Sequence, residues 1–467
     1  MKYRSLAAFR LGDIRGLYPR EIDERFARDF AGAFIDEFAI TGTVAVGRDM
    51  RESSPGLQRA LMDGLTEFGV DVADIGLCPT ELGYFASTFP GFAAAIVVTA
   101  SHNPARYNGL KCVLAGGEAV TFESGLSGVM RRMQSRRRVG PSRVGAIVHE
   151  DLRAEYLDWM VSHFDAESLQ GAPVALNGLN GTASTLASEL VERFNLPVKW
   201  FRKDPGPIPE EGADPANPRL ANEMKSYMAG QGFALGVAWD GDCDRCVFFD
   251  GDGNIVPAYY IVGLLAATFL ASHPGRAIVY DTKLCWNTLD IIAEFGGQAV
   301  PSETGHAFMK RKMRESDAIY GGELSSHHFF GDFFHCDSGM FAWLKILETV
   351  NHAGETIAEL VEKRRRLFTT TPEINLRLGD TDRAFNEILN QYRTVAESIE
   401  HFDGLSFTMP GDWRFSLRRS KTEPLVRVNF ESRGNGDVLL EQGPGVIEAL
   451  APFSSEDIDI PSLLYIQ

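Results

Sequence analysis

Apolar residues recur along this chain with two periods, and the two alternate. Short runs rich in β-branched residues read as buried strands: Val44-Ala45-Val46, Ile96-Val97-Val98, Val174-Ala175-Leu176, Leu235-Gly236-Val237-Ala238 and Ile278-Val279-Tyr280. Between them lie longer stretches with helical spacing, which predict helices over 21–38, 55–68, 150–164, 184–194 and 382–399. Strand and helix in alternation is the pattern of βαβ units, and so of an α/β chain with mixed or parallel sheets. Composition breaks near 136–148 (basic, with Gly and Pro), 251–257 (Gly-rich) and 367–372 divide the chain into 1–148, 149–252, 253–367 and 368–467.

The apolar run Ala94–Val98 ends in Thr99-Ala100-Ser101-His102-Asn103-Pro104, which sets a hydroxyl beside an imidazole where a core strand breaks into a loop. Open α/β sheets bind ligands at such strand ends, although a plain polar turn before Asn-Pro has the same local sequence. Further on, Asp240, Asp242 and Asp244 alternate around Gly241, which lets the loop curl so that three carboxylates converge. Hard oxygen ligands of this kind suit Mg²⁺, whereas a calcium-binding EF-hand loop needs Gly at its sixth position and Glu at its twelfth, where this chain has Arg245 and Gly251. A solvated acidic turn is the bland alternative.

Lys111 follows Asn108-Gly109, which reads as a hairpin turn able to fold the lysine back toward Ser101. Glu323, Ser325 and His327 alternate, so on an extended segment they share one side and can hold neighbouring sugar hydroxyls; His328 beside them reads as a core histidine. Arg418, Ser420, Lys421, Thr422 and Arg427 gather cations, hydroxyls and turn amides within ten residues, as a phosphate site requires.

In chain order and at their separations, the four segments 99–104, 240–245, 322–327 and 418–424 resemble the α-D-phosphohexomutase family, the phosphomannomutases and phosphoglucomutases. Phe9-Arg10-Leu11-Gly12-Asp13-Ile14-Arg15-Gly16 and Val46-Gly47-Arg48-Asp49 look like the family's first signatures, so the resemblance runs nearly end to end. Tyr280-Asp281, Trp286-Asn287-Thr288, Thr304-Gly305-His306-Ala307-Phe308 and Trp413-Arg414-Phe415 look closest to bacterial phosphomannomutases that supply GDP-mannose synthesis. The resemblance implies a four-domain α/β architecture, three similar mixed-sheet α/β domains plus a C-terminal α+β domain around a central cleft.

It also implies a phosphorylated Ser101 that donates the phosphoryl group and completes the metal site of Asp240, Asp242 and Asp244. His102 and Lys111 are then the acid/base candidates, and Arg15 lies near the phosphoserine. Arg245, Lys283, His306, Glu323, Ser325 and His327 would contact the sugar phosphate, and Arg418, Ser420, Lys421, Thr422 and Arg427 its other phosphate. Cys243 and Lys421 depart from the family, which most often has Gly at the first position and Gly or Asn at the second. Two phosphate-handling sites imply a mutase working through a bisphosphorylated sugar, with Mg²⁺ and a hexose 1,6-bisphosphate activator. Mannose phosphates are the expected substrates. Dual mannose and glucose activity is the alternative, and phosphoglucosamine mutase fits less well, since Tyr107 stands where those enzymes usually have Asp. A sugar-phosphate-binding paralogue without turnover and a Mg²⁺-dependent phosphatase are the rivals from other classes.

Charge and cysteine usage narrow this further. A net charge of −17 argues against a nucleic-acid partner. Apolar stretches such as 261–270 are shorter than a membrane span, and Met1–Leu6 shows no leader-like apolar region. Six scattered cysteines form no disulfide framework, and Cys243-Asp244-Arg245-Cys246 has no second pair to complete a zinc site. The expectation is a cytoplasmic enzyme, monomeric or weakly dimeric, acting on a small phosphosugar.

Overall fold

In a computed structural model of the chain, residues 6–135, 143–420, 425–456 and 458–467 are described. Outside them lie the first five residues of the stretch read as leaderless, 136–142 of the first predicted break, and Lys421 and Thr422 of the basic segment. The chain divides into two units: Met1–Val256 with Gly305–Tyr320 and Ser325–Ile357, and Pro257–Thr304 with Gly321–Leu324 and Ala358–Gln467.

The first unit begins with β1 (Ile14–Leu17), α1 (Glu24–Phe38), β2 (Thr43–Arg48), α2 (Ser54–Glu67), β3 (Val72–Leu77), α3 (Thr80–Ala86), β4 (Phe92–Val98), β5 (Tyr107–Leu114), β6 (Glu118–Ala119), α4 (Ser127–Ser135) and β7 (Ile147–His149). Its sheet runs β1-β5-β4-β2-β3-β7, with β6 on β5. β2 lies parallel to β3 and β4, while β5 is antiparallel to both β4 and β1. Helix α1 starts where the Asp23 carboxylate accepts the Phe26 amide at 2.7 Å. Phe26, Phe30 and Phe34 recur every four residues on one face and pack with Val44, Val46, Ile96 and Val98. Each buried Phe contributes about 1.5–3 kcal/mol of transfer free energy.

A second mixed sheet follows. Its elements are α5 (Arg153–Val161), β8 (Val174–Asn177), α6 (Ser184–Phe194), β9 (Val198–Phe201), α7 (Pro218–Met228), β10 (Leu235–Trp239), β11 (Cys246–Phe249) and β12 (Ile255–Val256), with sheet order β12-β11-β10-β8-β9. Every residue of β10 is buried, as a central strand covered on both faces must be, and its C-terminal end delivers Asp240.

The third α/β segment comprises α8 (Ala258–Ser272), β13 (Ala277–Asp281), α9 (Trp286–Glu294), β14 (Gln298–Ser302), α10 (His306–Glu315), β15 (Tyr320–Gly322), β16 (His328–Phe330), β17 (Cys336–Asp337), α11 (Gly339–Ala353) and α12 (Ile357–Arg365). β13 and β14 pair in parallel, β16 and β17 antiparallel. The C-terminal α+β part has β18 (Phe368–Thr370), β19 (Ile374–Leu376), α13 (Thr381–Tyr392), β20 (Ser398–Glu400), β21 (Leu405–Met409), β22 (Trp413–Arg419), β23 (Val426–Arg433) and α14 (Asp437–Leu450). Its antiparallel sheet runs β18-β23-β22-β21-β20, with β19 also on β23, and its core includes Phe407, Phe415 and Phe430. The expected fold class is therefore the observed one: three α/β domains with mixed sheets and a further α+β domain. Among the described residues, no helix is long and apolar enough to cross a membrane.

All five predicted strand runs are strands, and the first four predicted helices form as α1, α2, α5 and α6. The fifth overruns. α13 ends at Tyr392, and Ser398–Glu400 is instead an edge strand paired with Ser406–Thr408. Sheet pairing captures these residues because Ile399 finds Phe407 directly opposite it.

The Asn108-Gly109 hairpin is also corrected. Both residues lie inside β5, and the reversal occurs upstream, between β4 and β5. Gly109 is needed there for close approach: a Cβ would stand 2.1 Å from the Ile14 carbonyl oxygen and 2.8 Å from that of Thr99. Gly109→Ala is expected to lose about 1–3 kcal/mol of stability, read as a lower melting temperature. Activity should fall with it, because the displaced strand β1 carries Arg15, directly opposite Gly109; an unchanged melt would refute the close-approach account.

Candidate active site

The first unit brings most of the predicted residues together. Ser101 follows β4 in the left-handed region, φ +52, where a non-glycine residue costs of order 1–3 kcal/mol unless its surroundings fix it. Here they do. Its amide donates to Thr99 Oγ1 at 2.9 Å and its carbonyl accepts from Arg51 Nη2 at 2.7 Å. Its hydroxyl donates to Asp240 Oδ2 at 2.6 Å and lies 3.2 Å from His102 Nδ1.

Burial, then the nearby charges of Arg245 and Arg15, hold the His102 imidazole well below its ordinary pKa. It is therefore neutral, with Nδ1 beside the Ser101 hydroxyl. Lys111, an interior position of β5 opposite Val97, reaches Asp242 Oδ2 at 2.7 Å and also contacts Asp244. Burial disfavours its ammonium, but Asp242, Asp244 and Asp240 outweigh burial and raise its pKa. Lys111 thus keeps its proton, whereas His102 does not carry one. The Arg15 guanidinium donates to Asn103 Oδ1 at 2.7 Å and to Asp13 Oδ2 at 2.6 Å.

The loop after β10 curls as expected. Asp240, Asp242 and Asp244 are buried and offer oxygens within 4.8 Å of one another. Burial and then the neighbouring carboxylates Asp244 and Asp242 push Asp240 well above the usual carboxylate range. For Asp244 the burial effect is overcome by Lys111 and His327, which hold it well below. Asp242 Oδ1 makes no hydrogen bond among the described residues, and Asp244 Oδ1 has only His327 Nε2, at 3.5 Å. A buried, all-oxygen donor set crowded with like charge fits a hard divalent cation.

Cys243, where the family most often has Gly, sits at φ +66, the conformation glycine adopts at least cost. The Arg245 amide donates to Asp240 Oδ1 at 3.2 Å, and Arg245 forms a backbone bridge with His327. Ser325 Oγ lies 2.9 Å from His327 Nδ1, and the rings of His306 and His327 are 6.2 Å apart. Burial, then Lys310 and Lys111, hold His306 well below its ordinary pKa. The 323–327 segment is not extended, however. Residues 324–325 form a turn and Ser326 has φ +65, so Ser325 meets His327 through the turn rather than along one side of a strand. His328 is the core histidine expected: its Nδ1 lies 2.8 Å from the Tyr320 hydroxyl, and burial drives its pKa down to about 3.

The second unit holds the remaining candidates. Arg418 and Arg427 face each other across β22 and β23, a like-charge pair that needs a carboxylate nearby to offset its repulsion. Glu373 supplies it: Glu373 Oε1 lies 3.3 Å from Arg427 Nη1, and Oε2 lies 3.6 Å from Lys283 Nζ. Burial would raise this carboxyl, but Lys283, Arg427 and Arg418 outweigh it and hold it below the ordinary range. Lys283 Nζ also lies 3.2 Å from Asp281 Oδ2, and Arg418 Nε 3.9 Å from Asp403 Oδ2. The Ser420 amide donates to the Leu425 carbonyl at 2.8 Å; Lys421 and Thr422 lie outside the described residues. Glu323 is buried.

Several positions escape a reading of the sequence. Thr80 donates its amide to the Asp242 carbonyl at 2.9 Å and its hydroxyl to Asp242 Oδ2 at 2.7 Å. Gly212, φ +110, passes so close that a Cβ would stand 2.0 Å from the His102 carbonyl. Arg51, two residues past the Val46–Asp49 signature, binds four carbonyls of the serine loop; its nearness to that signature is the one sequence signal that points to any of them.

Comparison with known proteins bears directly on this arrangement. Family models described as phosphoglucomutase/phosphomannomutase alpha/beta/alpha domains I, II and III match residues 7–134, 154–253 and 257–368. A phosphomannomutase of Escherichia coli K12 is 39% identical over 440 residues, covering 92% of this chain and 96% of its own. A Xanthomonas campestris protein named phosphohexose mutases is 37% identical, covering 93% and 97%. Among solved structures, a phosphoglucomutase/phosphomannomutase family protein from Burkholderia thailandensis superposes with a TM-score of 0.87 at 30% identity, covering 96% of this chain and 98% of its own.

Proposed function

The chain belongs to the phosphoglucomutase/phosphomannomutase family of isomerases, and from that premise we propose that it interconverts mannose 6-phosphate and mannose 1-phosphate. The observation that carries this reading is the Ser101 hydroxyl, 2.6 Å from Asp240 Oδ2 and 3.2 Å from a neutral His102, beside three buried carboxylates.

The reaction starts with Ser101 phosphorylated by a hexose 1,6-bisphosphate. The serine P–O bond breaks as a bond forms from phosphorus to a sugar hydroxyl, whose proton passes to His102 and from it to the departing Ser101 oxygen. Asp240, Asp242, Asp244 and the phosphorylated Ser101 would hold Mg²⁺, which would supply charge neutralisation at the phosphoryl group. Lys111, Arg15 and Arg245 are cations beside the same loop and offset the rest. The bisphosphorylated sugar then turns over and returns its other phosphate to Ser101: the Ser101 hydroxyl gives its proton to His102 as its oxygen bonds to phosphorus, the sugar P–O bond breaks and the freed sugar oxygen takes that proton, while the Lys111 ammonium stays charged beside the loop.

Glu323, Ser325, His327, His306 and Lys283 would hold the sugar, and Arg418, Ser420, Lys421, Thr422 and Arg427 the phosphate that is not reacting. The divisions at 148, 252 and 367, a cytoplasmic location and a monomer or weak dimer complete the proposal, with GDP-mannose synthesis the consumer of the product. The test supplies mannose 1-phosphate and glucose 1-phosphate in parallel, with Mg²⁺ and catalytic bisphosphohexose. Faster conversion of the mannose ester to its 6-phosphate is expected. Equal rates would make the enzyme dual-specific, and release of free phosphate alone would make it a phosphatase.

A further inference from the structure

Beneath the acidic loop lies a carboxyl group that the reaction does not use, its pKa pushed by burial up to about 8. Glu81, on α3, is fully buried. Its Oε2 accepts the Tyr156 hydroxyl of α5 at 2.9 Å and the hydroxyl of Ser338, the residue that caps α11 by accepting the Phe341 amide at 3.0 Å. The Cys243 thiol and the Met340 amide face the same carboxyl. Two of the elements tied together here abut the metal loop itself. α3 grips Asp242 through the amide and hydroxyl of Thr80, the residue next to Glu81. α11 starts at Gly339, where a Cβ would stand 2.4 Å from the Cys243 carbonyl oxygen.

We propose that Glu81 is a positioning residue for the metal loop: by joining Tyr156 and Ser338 it holds α3 and α11 against residues 240–244, so that Asp242 is aimed at the cation. The inference rests on the reading of Asp240, Asp242 and Asp244 as Mg²⁺ ligands. Outer partners of this kind are needed because a carboxylate ligand left free to rotate loses affinity even when its charge is intact. Cys243 sharpens the need, since a non-glycine residue at φ +66 stays in that conformation only if its surroundings hold it.

The test is calorimetric titration of Mg²⁺ into the full-length protein. Glu81→Ala, which leaves two buried hydroxyls without their acceptor, is expected to weaken Mg²⁺ binding by about ten- to a hundredfold. Glu81→Gln, whose amide oxygen still accepts both, should stay within about threefold of wild type. In turnover, Glu81→Ala should recover kcat at saturating Mg²⁺ with an unchanged KM for the sugar phosphate, a pattern that general destabilisation would not produce. A folded Glu81→Ala variant with wild-type Mg²⁺ affinity overturns the proposal. Should that variant not fold, Tyr156→Phe decides: weaker Mg²⁺ binding than wild type supports the role, and identical binding overturns it. A wild type that binds no Mg²⁺ at all instead overturns the metal reading beneath it, a result distinct from variants that bind as wild type does.

Discussion

Ser101→Ala is expected to abolish isomerisation, with kcat falling by about 10⁴-fold or more, because it removes the hydroxyl that lies 2.6 Å from Asp240 Oδ2 and 3.2 Å from His102 Nδ1. The loop itself should survive the change. The contacts that fix it use the Ser101 amide and carbonyl, which alanine keeps, and not the hydroxyl. The variant should therefore still bind sugar phosphate, and intact-protein mass spectrometry after incubation with bisphosphohexose should show one phosphoryl group on wild type and none on the variant. Turnover by Ser101→Ala above a hundredth of wild type would remove the serine from the proposed mechanism.

Arg51→Met should be the most damaging change outside the reacting groups. The buried guanidinium donates to the carbonyls of Ser101 and Asn103 at 2.7 Å, Pro104 at 2.9 Å and Tyr107 at 3.0 Å, and through Nε to Asp49 Oδ2 at 3.0 Å. Methionine fills the space but leaves a buried carboxylate without its cation, which costs about 3–5 kcal/mol. It also frees the carbonyls that curve the serine loop. The expected outcome is a lower melting temperature together with a loss of kcat in the protein that remains folded. Arg51→Lys should rescue little, since one ammonium cannot replace a planar fork spread over five acceptors. A lysine variant with wild-type melt and rate would show that charge alone, without the fork, holds the loop.

Much of the molecule is legible in one dimension. Burial leaves a period in the sequence, so the runs at 44–46, 96–98, 174–176, 235–238 and 278–280 declare themselves as strands. The chemistry is equally local where residues that act together are neighbours, as with Ser101 and His102 or the three aspartates. Errors arose where neighbours in sequence answer to distant partners. Ile399 continues an apolar period with α13, yet lies opposite Phe407 in a sheet. Asn108-Gly109 has the composition of a turn, yet Gly109 serves to let β1 approach β5. Glu323, Ser325 and His327 alternate like a strand, yet Ser326 turns the chain between them.

The α/β order of elements, the family, and the kinds of side chain available for phosphoryl transfer can be read from the residue order. How those side chains are paired is a matter of packing. Packing sets Lys111 against Asp242 and Asp244, more than a hundred positions away, which raises the pKa of the lysine, while burial lowers that of His102. It brings Glu373 against Arg427 and Lys283, and joins Glu81 to Ser338 across 257 positions. The reason is physical: periodicity records whether a residue faces water or the core, while the protonation and aim of a buried group depend on which charges and donors packing sets within a few ångströms of it.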